Sequence, residues 1–247
     1  MNELLLYFNY KYKGDWNKIY NAIKQKEQIK EEDYKNFINQ INTNNEKYIT
    51  ILDSDYPQKL LANRKPPFVL HYKGNLEILT KAKKIVYLTG SYETLNINKY
   101  VNKISRDFET TFINLYWNGL EQSILKQLLN KQVKVIVILP CGINWAIKNL
   151  NLNYYLDENC LFLSEYPNEY HITKIAYSAR SRINAGLCHK MILLSSLEYK
   201  YNNIINEFLD QGKDIQCLLF KDHLENDQNI DLINQGAELV SENKPIC

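Results

Sequence analysis

Six short apolar runs, at 84–89, 111–117, 133–140, 161–164, 191–195 and 215–220, alternate with segments in which apolar residues recur at helical period. Buried strands alternating with helices predict βαβ units. The expected fold is therefore α/β and Rossmann-like, a mostly parallel sheet with helices on both faces. Ahead of it, residues 1 to about 46 are polar and lysine-rich, with apolar positions at Ile19, Ala22 and Ile23, then Phe37, Ile38 and Ile41. That spacing is helical; Gly14-Asp15 offers one start and Ile29-Lys30-Glu31-Glu32-Asp33 a second. A short strand at 48–52 follows. Pro57 and Pro66-Pro67 then bar a continuous helix and favour extended backbone into Phe68-Val69-Leu70-His71-Tyr72. The expected organisation is a small helical N-terminal appendage, 1–55, and an extended α/β domain, 56–247.

In such sheets ligands gather beyond the carboxyl ends of the strands, where helix N-termini present free amide donors. The residues in those places are Gly90-Ser91-Tyr92-Glu93-Thr94, Asn118-Gly119-Leu120, Cys141-Gly142, Glu165-Tyr166-Pro167 and Ser195-Ser196. Gly90-Ser91 fits an anion best, because glycine allows a tight turn and serine can donate to a phosphate oxygen. A glycine before a helix is equally ordinary βα turn chemistry.

Composition sharpens one point. Strong cations are almost all lysine; the only arginines are Arg64, Arg106, Arg180 and Arg182. Two guanidinium groups one residue apart, in Tyr177-Ser178-Ala179-Arg180-Ser181-Arg182, fit planar bidentate recognition of phosphate. They fit surface pairing with carboxylates such as Glu165 or Glu169 as well. The formal charge of +2 means that any polyanion must be held by a local patch. Abundant Asn, Lys, Ile and 19 tyrosines against 8 glycines look like the bias of an AT-rich genome, so tyrosine and lysine counts carry little by themselves.

Other chemistry finds no support in the residues. The five cysteines, Cys141, Cys160, Cys188, Cys217 and Cys247, form no CxxC pair and read as reduced, buried thiols. His71, His171, His189 and His223 show no HxxxH or HExxH spacing, so no metal site and no cofactor is expected. GxGxxG, GxxxxGK[ST] and GxSxG are all missing. The N-terminus lacks signal-peptide features and no run approaches a membrane span, so a cytoplasmic protein without membrane association is expected.

Taken in order, several segments resemble the DprA/Smf DNA-processing proteins of bacteria over about 47–240. They are Ile51-Leu52-Asp53-Ser54-Asp55-Tyr56-Pro57, Pro66-Pro67-Phe68-Val69-Leu70-His71-Tyr72-Lys73-Gly74, Gly90-Ser91, Asn118-Gly119-Leu120 and Val137-Ile138-Leu139-Pro140-Cys141-Gly142. Leu163-Ser164-Glu165-Tyr166-Pro167, Arg180-Ser181-Arg182-Ile183-Asn184-Ala185-Gly186-Leu187 and Gln235-Gly236-Ala237-Glu238-Leu239-Val240 complete the set. The resemblance implies a non-enzymatic protein that binds single-stranded DNA and assists loading of a RecA-type recombinase in transformation or recombination, as a homodimer. It implies DNA-binding roles for Arg180, Arg182, Gly90, Ser91, Tyr177, Lys174, Asn118 and Gly119. Guanidinium groups would hold phosphates while the Tyr177 face stacks a base, unless that ring is buried against the neighbouring helix. For self-association, Ile204, Ile205, Phe208 and Leu209 offer an apolar stripe that core packing would explain equally.

The departures are specific. Tyr92 stands where the family has the arginine of Gly-Ser-Arg; Glu121-Gln122-Ser123 replaces Ala-x-Gly; and Glu198-Tyr199-Lys200-Tyr201-Asn202-Asn203-Ile204 lacks the glycine of a later Ser-Gly-x-x-x-Thr-Ala segment. Lost glycines block close phosphate approach. The sequence ends soon after Val240, so the family's frequent winged helix is expected to be absent. Two alternatives remain open: a LOG-like nucleotide phosphoribohydrolase, whose glycine-rich motif is missing at Ser195-Ser196-Leu197-Glu198-Tyr199, and a degenerate nucleotide-sensing Rossmann-like protein.

Overall fold

The Asp15 carboxylate accepts a hydrogen bond from the Lys18 backbone N–H at 3.2 Å, capping a helix where the sequence marks a start. The computed structural model describes residues 1–197 and 201–241. Three helices, α1 (Asn2–Lys11), α2 (Trp16–Lys24) and α3 (Glu31–Thr43), make up the N-terminal region. The first was not expected from the pattern. Leu5 and Leu6 of α1 pack with Ile41 of α3 and with Val69, while Phe8 packs with Ile19 and Ala22 of α2.

The rest alternates as the apolar runs require: β1 (Tyr48–Thr50), β2 (Val69–Gly74), α4 (Glu77–Thr80), β3 (Lys84–Thr89), α5 (Leu95–Val101), β4 (Thr110–Asn114), α6 (Leu120–Asn130), β5 (Val135–Ile138), α7 (Ile143–Asn149), β6 (Cys160–Ser164), α8 (Lys174–Leu187), β7 (Lys190–Leu193), α9 (Asn202–Asp210), β8 (Asp214–Leu218), α10 (Asn229–Asn234) and β9 (Glu238–Val240). One sheet results, ordered β1-β2-β6-β5-β4-β3-β7-β8-β9. Neighbours from β6 to β9 in that order run parallel, whereas β1 on β2 and β2 on β6 are antiparallel. The fold is α/β and Rossmann-like. β1 lies within the segment expected as the appendage, yet it forms one edge of the sheet; β9, the other edge, was not read as a strand.

Both faces of the sheet are dry. On β3, Val86 and Leu88 join α5, α6 and α7 in one core, while Ile85 and Tyr87 join α4, α8 and α9 in another. Side chains alternate between faces at period two, so a strand covered on both sides is mostly apolar, and its polar residues, such as Thr89, need buried partners. No helix among the described residues is long and apolar enough to cross a membrane.

The appendage is tied to the sheet by buried polar contacts. His71 on β2 is fully buried, its Nε2 donating to Asn9 Oδ1 at 3.0 Å, while Asn9 Nδ2 donates to the Glu165 carbonyl at 3.0 Å. Burial pulls the His71 pKa from its ordinary value down to about 3. Above pH 6.5 the ring is neutral folded and unfolded. Below it only the unfolded chain takes up the proton, so stability should fall by about 1.4 kcal/mol per pH unit until pH 3 is approached. Urea unfolding between those limits should show this slope, and His71→Gln should flatten it. Equal slopes in both proteins would show that His71 is not the acid-sensitive group.

Candidate nucleic-acid interface

Strand order reverses between β3 and β7, the place where an open α/β sheet leaves a crevice. Here the crevice is stitched shut. The backbone N–H groups of Ser91 and Tyr92 both donate to Ser195 Oγ at 3.1 Å, Ser195 Oγ donates to the Tyr92 carbonyl at 2.9 Å, and the Leu197 N–H donates to Ser91 Oγ at 3.0 Å. The amides expected to meet a phosphate are thus engaged by a serine. Gly90 is required for a different reason than anion approach: a Cβ there would sit 2.7 Å from both Leu120 Cδ2 and Ser195 Oγ. Tyr92 is drawn away toward the chain after β8, its hydroxyl donating to Asp227 and accepting from the Leu224 N–H at 3.0 Å.

Beside this loop lies the feature the sequence least announced. Glu121, which in the sequence marks only a departure from the family's Ala-x-Gly, is 0% exposed. Its Oε1 accepts from Tyr87 Oη at 2.6 Å and Thr89 Oγ1 at 2.5 Å, and its Oε2 from the backbone N–H groups of Leu115 at 3.0 Å and Trp117 at 3.1 Å. Four donors make the buried carboxyl tolerable and fix the turn between β4 and α6. That turn carries Trp117.

Trp117 stacks on Tyr177 of α8, ring centroids 5.3 Å apart and planes 16° apart. The Arg180 guanidinium lies 4.9 Å from the Trp117 centroid and 5.0 Å from that of Tyr177. Arg180 is only 3% exposed; its Nη1 donates to the Leu115 carbonyl at 2.5 Å, and its Nε has no hydrogen-bond partner. Burial lowers its pKa from the ordinary value, opposed by the nearby Glu121. These residues line a cavity of about 460 Å³ with Asn118, beyond the carboxyl ends of β4 and β5. Gly119 closes the turn at φ +92°, a conformation that favours glycine, with nothing within 4 Å of where a Cβ would lie. It begins α6, and no side chain caps that helix. Lys174 stands exposed at the start of α8.

The two arginines expected to act together are held apart. A helix turns 100° per residue, so positions two apart face opposite ways. Arg182 enters a different cleft, where its Nη2 pairs with Glu165, its Nε donates to the Lys65 carbonyl at 2.8 Å and its Nη1 to the Ala179 carbonyl at 2.6 Å. Pairing with Glu165, read from the sequence as a surface contact, is present for Arg182 alone and is buried. Of the α9 stripe, Ile204, Ile205 and Phe208 are core residues and only Leu209 is exposed, so the simpler explanation of that spacing holds. Cys141, Cys160, Cys188 and Cys217 are free and buried. Glu198, Tyr199, Lys200 and Cys247 lie outside the described residues.

Comparison with known proteins agrees with this architecture. A family model described as DNA recombination-mediator protein A matches residues 47–247. The DNA processing protein DprA of Streptococcus pneumoniae (strain ATCC BAA-255 / R6) is 26% identical over 204 residues, covering 80% of this chain and 72% of that protein. The crystal structure of DprA from Streptococcus pneumoniae superposes with a TM-score of 0.72 at 23% identity, over 97% of this chain and 90% of that one. DNA processing protein A from Helicobacter pylori, whose structure is described for its single-stranded DNA binding mode, superposes at 0.66 with 17% identity, over 80% of this chain and 92% of that one. The structural likeness bears on the fold, and the first extends it over the N-terminal helices. Because the family model spans the whole sheet and the loops at its carboxyl ends, the chain belongs to the DNA recombination-mediator protein A family, a family of DNA-processing proteins.

Proposed function

We propose that this protein binds single-stranded DNA without catalysing a reaction on it, and that it delivers the strand to a RecA-type recombinase. The observation that carries the reading is the Trp117–Tyr177 pair above Arg180, at the mouth of a cavity beside the uncapped start of α6. An aromatic platform stacks any base, and a buried cation with an unpartnered Nε favours a phosphate close by. Asn118, Gly119 and Lys174 would serve the same strand, whereas Gly90 and Ser91 would contribute amides only if Ser195 gave way. The family relation supports the processing role. The single-stranded DNA binding mode described for the Helicobacter pylori relative supports the ligand.

A non-enzymatic role is supported by Glu121, the buried carboxyl nearest the platform, both of whose oxygens are fully engaged by donors. The test is equilibrium binding of single-stranded, double-stranded and mononucleotide ligands across a salt series, with release of free base from the mononucleotide monitored alongside. Preference for the long single strand with a steep salt slope and no base release is expected. Tyr177→Ala should weaken strand binding by about 1–3 kcal/mol, roughly 5- to 150-fold, with the unfolding transition preserved. Equal affinity for all three ligands, or no effect of the substitution, would reject the reading.

A further inference from the structure

We propose that the cleft between the N-terminal helices and α8 is a second subsite for the same strand, receiving nucleotides that pass from the Trp117–Tyr177 platform over the first turn of α8. This rests on the single-strand reading above. The cleft measures about 570 Å³ and takes its walls from both parts of the chain: Lys13, Trp16 and Lys65 on one side, Tyr170, Ile175 and Arg182 on the other.

The helix between the two sites dictates the path. Tyr177 and Arg180 line the platform cavity, while Ile175 and Arg182 line this cleft, so the two open on either side of one helix about 10–12 Å across. Its first turn carries the exposed Lys174 and Ile175, the latter 82% exposed. A cation beside a bare aliphatic surface offers a backbone phosphate and a base face their respective partners.

Charge in the cleft favours the same occupant. Three carboxyl groups face it, and each is offset or weakened. Asp15 caps α2 and lies 3.8 Å from Lys18 Nζ, Glu165 is neutralised by Arg182, and burial holds Glu207 above the usual carboxyl range. Lys13 and Lys65 make no ion pair among the described residues. Lys65 Nζ lies 5.6 Å from the Trp16 ring centroid, and the Tyr170 ring stacks on Tyr166 at 4.8 Å. Lys65 over the Trp16 ring, with Lys13 lining the same cleft, gives a polyanion carrying flat bases both partners it requires.

The experiment compares thymidine oligomers of roughly five and roughly twenty nucleotides on the full chain, using wild type, Tyr177→Ala and the double variant Lys13→Ala/Lys65→Ala. The lysine variant should bind the short oligomer as wild type does. It should lose on the order of three- to tenfold for the long one at low salt, with a log–log salt slope flatter by about 0.7 per lysine. Equal losses on both lengths would mean bulk attraction, and no loss on either would mean an unused cleft; each outcome overturns the second subsite while Tyr177→Ala still reports on the first. Wild type that retains neither oligomer overturns both readings. Both substitutions remove side chains without ion-pair partners, and a wild-type unfolding midpoint would verify that the fold is kept.

Discussion

Replacing Glu165 with alanine should destabilise the protein by about 3–5 kcal/mol, the usual consequence of stripping the partner from a buried ion pair. For a chain of this size that is a fall of roughly 6–20 °C in Tm. The Glu165 side chain is 4% exposed and that of Arg182 12%. Alanine at 165 leaves a guanidinium enclosed with two carbonyl acceptors and without its hydrogen-bonded carboxylate, Glu207 remaining only as a more distant carboxyl. The reverse truncation, Arg182→Ala, should be comparably harmful, so a loss of DNA affinity in that variant would report unfolding before it reported a lost phosphate contact. Glu165→Leu combined with Arg182→Met should recover much of the deficit, because two apolar groups of similar volume need no mutual compensation. Chemical denaturation of the three variants decides it. A deficit below about 1 kcal/mol in Glu165→Ala would place the pair with surface bridges of little consequence.

Glu121→Leu should be at least as disruptive. It roughly keeps the volume but leaves the Tyr87 hydroxyl and two backbone N–H groups without their acceptor, while the Thr89 hydroxyl retains Tyr201 Oη at 3.2 Å. Each buried orphan costs about 1–3 kcal/mol, non-additively, so a total of roughly 4 kcal/mol or more is expected. Glu121→Gln, nearly isosteric and retaining one acceptor oxygen, should cost about half as much. A second consequence separates this residue from an ordinary core position. Because Glu121 holds the Trp117 N–H, both variants should change tryptophan fluorescence and weaken single-strand binding at temperatures where the chain is still folded. Glu121→Leu with wild-type stability, or with wild-type strand affinity at reduced stability, would show that the carboxyl does not hold the platform in place.

The central strands were legible because they are covered on both faces and so are mostly apolar; Val135–Ile138 and Cys160–Ser164 are the clearest cases. The α2 start was legible because Asp15 is a local cap, and the α8 neighbourhood because arginine is scarce in this chain. Helix α1 escaped because Asn and Tyr interrupt its apolar period, and β9 because an edge strand of three residues, two of them exposed, carries almost no pattern. Trp117 could have been found as one of three tryptophans adjoining a glycine turn.

The sequence by itself determined the order of elements and the faces they bury, since period two and period 3.6 are properties of the local chain and burial selects for them. It also carried the family likeness. Only the tertiary structure decided which partner each polar group meets: that Glu121 gathers four donors, that Ser195 takes the amides of the Gly90-Ser91 loop, that Arg180 lies beneath two rings and that Arg182 belongs to Glu165. Those pairings join residues up to about a hundred positions apart. A hydrogen bond or ion pair depends on separations of a few ångströms that no local periodicity encodes, so the chemistry at the ends of the strands is set by how the packed elements converge.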